Sequence, residues 1–169
     1  QLEKSVQFYE KAIKINPIFK EAYNNLGNAF KRLNQFDNAV EAYKKAIEIN
    51  PNFFDAYNSL GLILATDSSL LHQAVESFEK AIDINPNFAI AHNNLAHVFR
   101  DLNKPDDALK SYQKAIKLNP EFYQAHNNYG NLLAKGFNRL NDAVKSFRRA
   151  IEIKPDFAIA YNNLGNVYK

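Results

Sequence analysis

Prolines at a regular spacing divide this chain into similar segments. Pro17, Pro51, Pro86, Pro120 and Pro155 follow one another at intervals of 34, 35, 34 and 35 residues. Six residues after each proline the same short motif begins, with the copies Tyr23-Asn24-Asn25-Leu26-Gly27, Tyr57-Asn58-Ser59-Leu60-Gly61, His92-Asn93-Asn94-Leu95-Ala96, His126-Asn127-Asn128-Tyr129-Gly130 and Tyr161-Asn162-Asn163-Leu164-Gly165. A period in this range is typical of stacked repeats, in which each unit contacts its neighbours rather than a common centre. The period therefore predicts an elongated repeat array.

The order of large and small residues within one period narrows the type of repeat. In the first full copy the pattern consists of Tyr23, Leu26, Gly27, Phe30, Ala39, Tyr43, Ala46 and Pro51. This pattern resembles the tetratricopeptide repeat (TPR), and periodic copies extend the resemblance along the whole chain. The resemblance implies an all-α fold of helix–turn–helix repeats stacked into a right-handed superhelix, or α-solenoid. It also implies that the first helices form the inner, concave surface.

The prolines set the expected repeat boundaries, because a proline cannot continue a helix and pushes the preceding residue into an extended conformation. We count the third residue after each proline as position 1 and expect a single TPR domain at 1–169. Its parts are a half repeat at 1–19, full repeats at 20–53, 54–88, 89–122 and 123–157, and a half repeat at 158–169. Since the chain opens on Gln1 in the middle of the pattern, we interpret it as a piece of a longer protein.

Local signals predict how each repeat turns. The extra residue of the two 35-residue repeats falls in the turn between the two helices, where an added residue disturbs packing least. Pro105 can open a second helix, since its missing N–H does no harm at that position. Asp67 and the serines that follow it suggest a helix cap rather than a nucleophile. A phenylalanine two residues after each of the five periodic prolines is interpreted as packing the link between repeats.

Composition argues against several classes of function. The formal net charge is only +3, from 21 basic and 18 acidic residues, whereas nucleic-acid binding requires a basic stripe on one face. Cysteine is absent, so no disulfide framework or thiolate nucleophile is available. No apolar run approaches the roughly 18 residues of a membrane span, and no signal peptide is visible. We expect no nucleic-acid or membrane partner and favour a cytoplasmic location.

The first helix of each repeat is predicted to have an apolar and a polar side. Because each helical residue advances about 100° around the axis, positions 2, 5, 6, 9, 12 and 13 form one polar arc. Asparagine dominates three of these positions. Position 5 is Asn24, Asn58, Asn93, Asn127 and Asn162; position 6 is Asn25, Ser59, Asn94, Asn128 and Asn163; position 9 is Asn28, Leu62, His97, Asn131 and Asn166. Since asparagine is a mediocre helix former, this repetition indicates a chemistry that helix stability does not favour.

A row of carboxamides fits an extended peptide. Each carboxamide offers two donors and an acceptor, which match the N–H and C=O groups of a peptide backbone. We therefore predict a non-catalytic scaffold that binds an extended protein segment through these residues, including His97, and uses no cofactor. In the alternative interpretation, left open for position 5 above all, the asparagines bond one another.

A narrower resemblance concerns position 6. Asparagines there are similar to the ladder in the superhelical TPR region of O-GlcNAc transferases, where they hold the backbone of protein substrates. The resemblance carries over to Asn25, Asn94, Asn128 and Asn163, whereas Ser59 departs from it. It implies, as an alternative function, the substrate-recruiting region of a larger enzyme of that type. The carboxylate clamp of chaperone-binding TPR proteins needs Lys at position 5, which is Asn in every copy here.

The terminal half repeats suggest a third function. Helix 159–169 lacks a second helix, and residues 2–15 of another molecule could supply one. We therefore predict head-to-tail packing between molecules, a heterologous contact that generates filaments rather than closed dimers.

No residue set points to metal binding or catalysis. His92 and His126 replace Tyr at position 4 and are interpreted as packed aromatic residues. His92 and His97 are five residues apart, so they do not share one helical face, and no His-Glu-x-x-His pattern occurs. Asp67, Ser68, Ser69 and His72 lie in a turn without an oxyanion donor.

Overall fold

The computed structural model describes all 169 residues and consists of ten α-helices without a β-strand. The helices are α1 (Leu2–Ile15), α2 (Lys20–Arg32), α3 (Phe36–Ile49), α4 (Phe54–Leu64), α5 (Leu71–Ile84), α6 (Ala89–Asp101), α7 (Pro105–Leu118), α8 (Tyr123–Gly136), α9 (Leu140–Ile153) and α10 (Ala158–Val167). A short 3₁₀ turn at Ser68–Leu70 precedes α5. The predicted all-α helical-repeat fold is confirmed.

The helices form two compact units, residues 1–86 with α1 to α5 and residues 87–169 with α6 to α10. In each unit every helix packs against the next one along the chain. The first helices of successive repeats also touch. These contacts join α2 with α4 in the first unit and α8 with α10 in the second. The single domain and the exact repeat boundaries stay predictions.

The residues before the prolines end the helices as predicted. Asn16, Asn50, Asn119 and Lys154 have extended backbones, with φ between −137° and −132°. Three of them are asparagines that also brace the turn, because their Oδ1 atoms accept a hydrogen bond from the backbone N–H two residues later. The same residue therefore stops one helix and directs the chain towards the next.

The turns inside the repeats also follow their local signals. Pro105 is the first residue of α7. Asp67 Oδ1 accepts hydrogen bonds from the backbone N–H and the hydroxyl of Ser69, both at 2.8 Å, so the predicted capping role is confirmed. Asn34 and Asn103, which the sequence reasoning did not single out, take left-handed conformations with φ of 58° and 56°. Asparagine tolerates this region, so the two shorter repeats turn without a glycine.

One aromatic ring from each full second helix forms the centre of the core. Tyr43, Phe78, Tyr112 and Phe147 are at most 1% exposed. Tyr43 packs with Leu60 of the next first helix, and a Cβ on Gly27 of its own first helix would lie 2.6 Å from the ring. Gly61 and Gly130 meet Phe78 and Phe147 equally closely. The ring of each second helix thus requires a small residue opposite it.

The outer faces of the second helices include exposed apolar residues. Phe36, at the start of α3, is 43% exposed, whereas Ala42 of the same helix is buried. The basic residues of α9 form a solvated face, since Arg149 pairs with Glu121 and Glu152, and Lys145 with Asp142. None of the ten helices combines the length and apolar character that a membrane crossing requires.

Candidate functional site

The position-5 asparagines do not form the open surface that we expected. Asn58, Asn93 and Asn127 are only 8%, 7% and 4% exposed. These three side chains are therefore buried, although position 5 belongs to the predicted polar arc. This burial corrects the expectation that Asn58, Asn93 and Asn127 stand free to contact a ligand.

Asparagine pairs link successive first helices in the second unit. Asn128 Nδ2 donates to Asn93 Oδ1 at 3.1 Å, and Asn163 Nδ2 donates to Asn127 Oδ1 at 2.9 Å. In both pairs, position 6 of one repeat donates to position 5 of the preceding repeat. We call each such contact an inter-repeat rung. The alternative in which the asparagines bond one another is thus correct for these positions.

The first unit contains a position where the rung is missing. Asn24 Oδ1 is buried and has no hydrogen-bond partner. The next repeat has Ser59 at position 6, where a serine lacks the amide donor of asparagine, and its hydroxyl interacts with the Tyr43 phenol instead. A buried polar atom without a partner costs about 1–3 kcal/mol. The serine at position 59, where the other copies have asparagine, therefore leaves the buried Asn24 Oδ1 without a donor.

Position 9 takes part in a second set of contacts. In the first unit, Tyr43 donates its hydroxyl hydrogen to Asn28 Oδ1 at 2.9 Å, while burial raises the Tyr43 pKa to about 12. In the second unit, His97 Nε2 lies 2.9 Å from Asn128 Nδ2. Because that nitrogen donates, His97 Nε2 accepts, and a neutral ring then carries its proton on Nδ1. Burial lowers the His97 pKa, and nearby Arg100 lowers it further, which favours the neutral ring.

The Asn128 carboxamide is held by two hydrogen bonds within the second unit. Its two Nδ2 hydrogens are used by Asn93 and His97. No group of the chain donates to its Oδ1, which is left as an acceptor of fixed direction. Asn163 is held by one such bond.

The remaining candidates differ in accessibility. Asn25, Asn162 and Asn166 are exposed, whereas the half-buried members are Asn24, Asn28, Asn94, His97, Asn128, Asn131 and Asn163. Asn131 lines a cavity of about 560 Å³ together with Arg100 and Lys135, on the polar arcs of α6 and α8. The lining contains two cations and no carboxylate, although Arg100 also pairs with Asp101 at 2.9 Å.

His126, which lies outside this arc, makes a contact with the turn that precedes its own helix. His126 is half-buried, and its Nε2 lies 2.9 Å from the carbonyl oxygen of Pro120. No group of three or more His, Asp or Glu side chains is arranged to hold a metal ion.

Comparison with known families identifies the repeat. A TPR repeat model matches residues 1–34, 71–102 and 138–169, which is more than half of the chain. Two tetratricopeptide repeat models match residues 21–53 with 89–122, and residues 42–76 with 111–145. The chain belongs to the tetratricopeptide repeat family. The resemblance drawn from the prolines and the Tyr23 motif is therefore confirmed.

Solved TPR structures share the fold. MamA is 25% identical with a TM-score of 0.78, over 93% of this chain and 91% of that one. YrrB, a TPR protein with an unusual peptide-binding site, is 28% identical with a TM-score of 0.74, over 95% and 81%. TTC0263, a thermophilic TPR protein of Thermus thermophilus, is 21% identical with a TM-score of 0.83, over 99% and 90%, which shows the fold alone. No curated protein matches the sequence.

Membership of the TPR family supports a coarse function. The TPR fold is that of a protein-interaction scaffold, and TPR repeats are in general non-catalytic. Stacked repeats serve binding because they offer extended surfaces. None of these comparisons tests the narrower resemblance to O-GlcNAc transferases, which stays a prediction.

Proposed function

We propose that this TPR protein is a non-catalytic scaffold that binds an extended peptide segment along the polar arcs of the first helices of its second unit, α6, α8 and α10. Position-6 and position-9 side chains contact the peptide, and the position-5 asparagines support them from beneath. The observation that carries the proposal is the Asn128 carboxamide. Its Nδ2 is bonded twice within the protein, which leaves Oδ1 as the atom of this carboxamide that can accept a hydrogen bond from a ligand.

A backbone N–H is the partner that such an oxygen fits best. A helix or sheet has already paired its N–H groups, whereas an extended peptide keeps them available. Asn163 offers a second carboxamide of the same orientation one repeat further on. Because the amides are held in place in advance, little side-chain entropy is lost on binding.

The cavity beside Asn131 gives room for a side chain of the same peptide. With Arg100 and Lys135 in its lining and no carboxylate, it favours an acidic side chain. The solved structure of YrrB lends support, since that related TPR protein has a peptide-binding site.

A library of unstructured peptides tests the proposal. Peptides selected on the wild-type chain are measured against the double variant Asn128→Ala/Asn163→Ala, which removes the two carboxamides from which the proposal is argued. Loss of two contacts, each of about 0.5–1.5 kcal/mol, should weaken binding by roughly tenfold or more. Asn141→Ala, an exposed asparagine on α9, is the matched control and should bind as the wild type does.

The fold of each variant must be measured beside its affinity. Asn128→Ala leaves Asn93 Oδ1 without its donor, so the midpoint of thermal unfolding should fall. Binding is therefore compared at a temperature at which circular dichroism shows all variants to be folded. Unchanged affinity in the double variant would reject a role for these amides.

Head-to-tail packing is a second candidate, favoured by an open slot on α10. A Cβ on Gly165 would meet nothing within 4 Å, whereas Gly27, Gly61 and Gly130 each face an aromatic ring. Tyr9 on α1 stands eight residues before its proline, as Tyr43 does, and a second copy could place it on Gly165. Phe8 is 67% exposed, at a position where the other second helices have Ala or Ser. Because its larger ring would have to fit into the contact between two copies, we rank head-to-tail packing below peptide binding.

Sedimentation at several concentrations tests this contact. The wild-type chain should form species of larger sedimentation coefficient as the concentration rises. Gly165→Ala should lower the fraction of these species, because its methyl group enters the slot. Asn162→Ala on the polar side of α10 is the control. A wild-type chain that stays monomeric at all concentrations contradicts head-to-tail packing.

A further inference from the structure

One buried hydroxyl in the second unit is left without a partner. In the first unit, Tyr43 donates to Asn28 at 2.9 Å. The corresponding residues in the second unit are Tyr112 and His97, whose rings meet edge to face with centroids 5.7 Å apart. The Tyr112 hydroxyl is buried and bonds to nothing. An asparagine at position 97 could satisfy it, so stability alone does not account for a histidine there.

His97 makes a contact that Asn28 does not make. Its Nε2 accepts from Asn128 Nδ2 at 2.9 Å, while the other Asn128 hydrogen goes to Asn93 Oδ1 at 3.1 Å. The Asn163–Asn127 rung has the same donor and acceptor order. The rung to Asn93 therefore orients the Asn128 amide in the same way as the rung to Asn127 orients the Asn163 amide. His97 adds a second hydrogen bond to Asn128 in this orientation.

We propose that His97 is a positioning residue: as a hydrogen-bond acceptor it holds the Asn128 carboxamide with Oδ1 towards the bound peptide, and it releases that carboxamide when protonated. A proton on Nε2 would point at the Nδ2 hydrogen, so Asn128 must rotate and its Oδ1 no longer meets the peptide N–H. The inference rests on the proposed peptide site and adds pH dependence to it.

The charged groups around His97 set the direction of this dependence. On its own helix, Arg100 opposes protonation and Asp101 favours it, while burial, the largest effect, holds the His97 pKa below its ordinary 6.5. From α7 it meets Tyr112, which stays neutral because burial raises its pKa. From α8 it meets Asn128, which does not titrate. Binding should therefore be strongest near neutral pH and decline as the pH falls through the His97 pKa, which lies below its ordinary value.

Nuclear magnetic resonance of the side-chain amides tests the positioning role without any ligand. In the wild-type chain, the Asn128 Nδ2 resonances should shift as the pH falls, with a midpoint below 6.5. The Asn163 Nδ2 resonances are the internal control and should stay in place, because no histidine contacts that rung. An Asn128 signal that does not move with pH, or an Asn163 signal that moves equally, overturns the inference.

His97→Asn separates positioning from folding. This variant copies the Asn28 arrangement and gives the Tyr112 hydroxyl an acceptor, so it should fold at least as well as the wild type. With a peptide selected from the unstructured library at about pH 7.5, wild-type affinity should fall about threefold to tenfold on acidification to below the midpoint of the Asn128 resonance shift, the effect of one hydrogen bond. The affinity of the His97→Asn variant for the same peptide should not fall over this pH range, because asparagine does not titrate.

The two parts of the test fail separately. If no peptide is selected, the proposed function fails, and the resonances of Asn128 still decide whether His97 positions it. If peptides bind but wild type and His97→Asn show the same pH profile, the positioning role is overturned while the peptide site stands.

Discussion

A single asparagine of the polar arc has one of two roles, depending on its position. Position 5 is buried and accepts a hydrogen bond, as Asn93 and Asn127 do, while position 6 donates that bond, as Asn128 and Asn163 do. The sequence revealed both rows but not which row covers the other, because neighbouring positions on one helix differ by only about 100°. Only the packing of the next repeat decides which one is covered.

Ser59→Asn should restore the missing rung in the first unit. The new amide would donate to Asn24 Oδ1, which is buried and unpartnered. We expect the free energy of unfolding to rise by about 0.5–1.5 kcal/mol, as measured by urea denaturation. Ser68→Asn in the exposed turn is the control and should have little effect. Equal stability of Ser59→Asn and the wild type would contradict the rung as a stabilising contact.

Glycine at position 8 should matter only where a ring faces it. Gly130→Ala would place its Cβ 2.7 Å from the Phe147 ring, so we expect a loss of about 1–3 kcal/mol in unfolding free energy. Gly165→Ala meets open space and should be neutral or gain up to about 1 kcal/mol from helix propensity. Denaturation of the two variants side by side measures the difference. A similar change at both sites would show that backbone entropy, not ring contact, governs these glycines.

Among the helices, the degree of support from neighbours varies along the chain. Helix α8 packs against α7 and α9 and also touches α10, whereas α10 packs on α9 and, less extensively, on α8. The helix ends were predictable, because the prolines, Pro105 and Asp67 act locally through the backbone. The exposed Phe36 was not predictable from its apolar character, since its burial depends on whether a neighbour reaches the start of α3.

Helix α10 should therefore open more readily than α8. Its Ile159 and Tyr161 are 58% and 51% exposed, so little apolar burial opposes local unfolding. Hydrogen exchange followed by mass spectrometry should show faster deuterium uptake in 158–167 than in 123–136. Equal protection in a dilute sample would contradict this prediction, and protection that grows with concentration would indicate head-to-tail packing.

For the molecule as a whole, the family and the fold class were predictable, and the use of the polar arc was not. The period and the small–large pattern identify TPR repeats because each full repeat packs an aromatic ring of its second helix against a small residue of its first helix. The candidate site was only partly predictable. The pairing of Asn128 with Asn93 and His97 joins residues 31 to 35 positions apart, and neither their contact nor the unpartnered Tyr112 hydroxyl follows from spacing alone.

A crystal structure of this chain with a library-selected peptide tests the central claim most directly. We predict an extended peptide along α6, α8 and α10, with a backbone N–H about 2.9 Å from Asn128 Oδ1. A peptide seated on the second helices, or one that leaves Asn128 without a contact, would contradict the account.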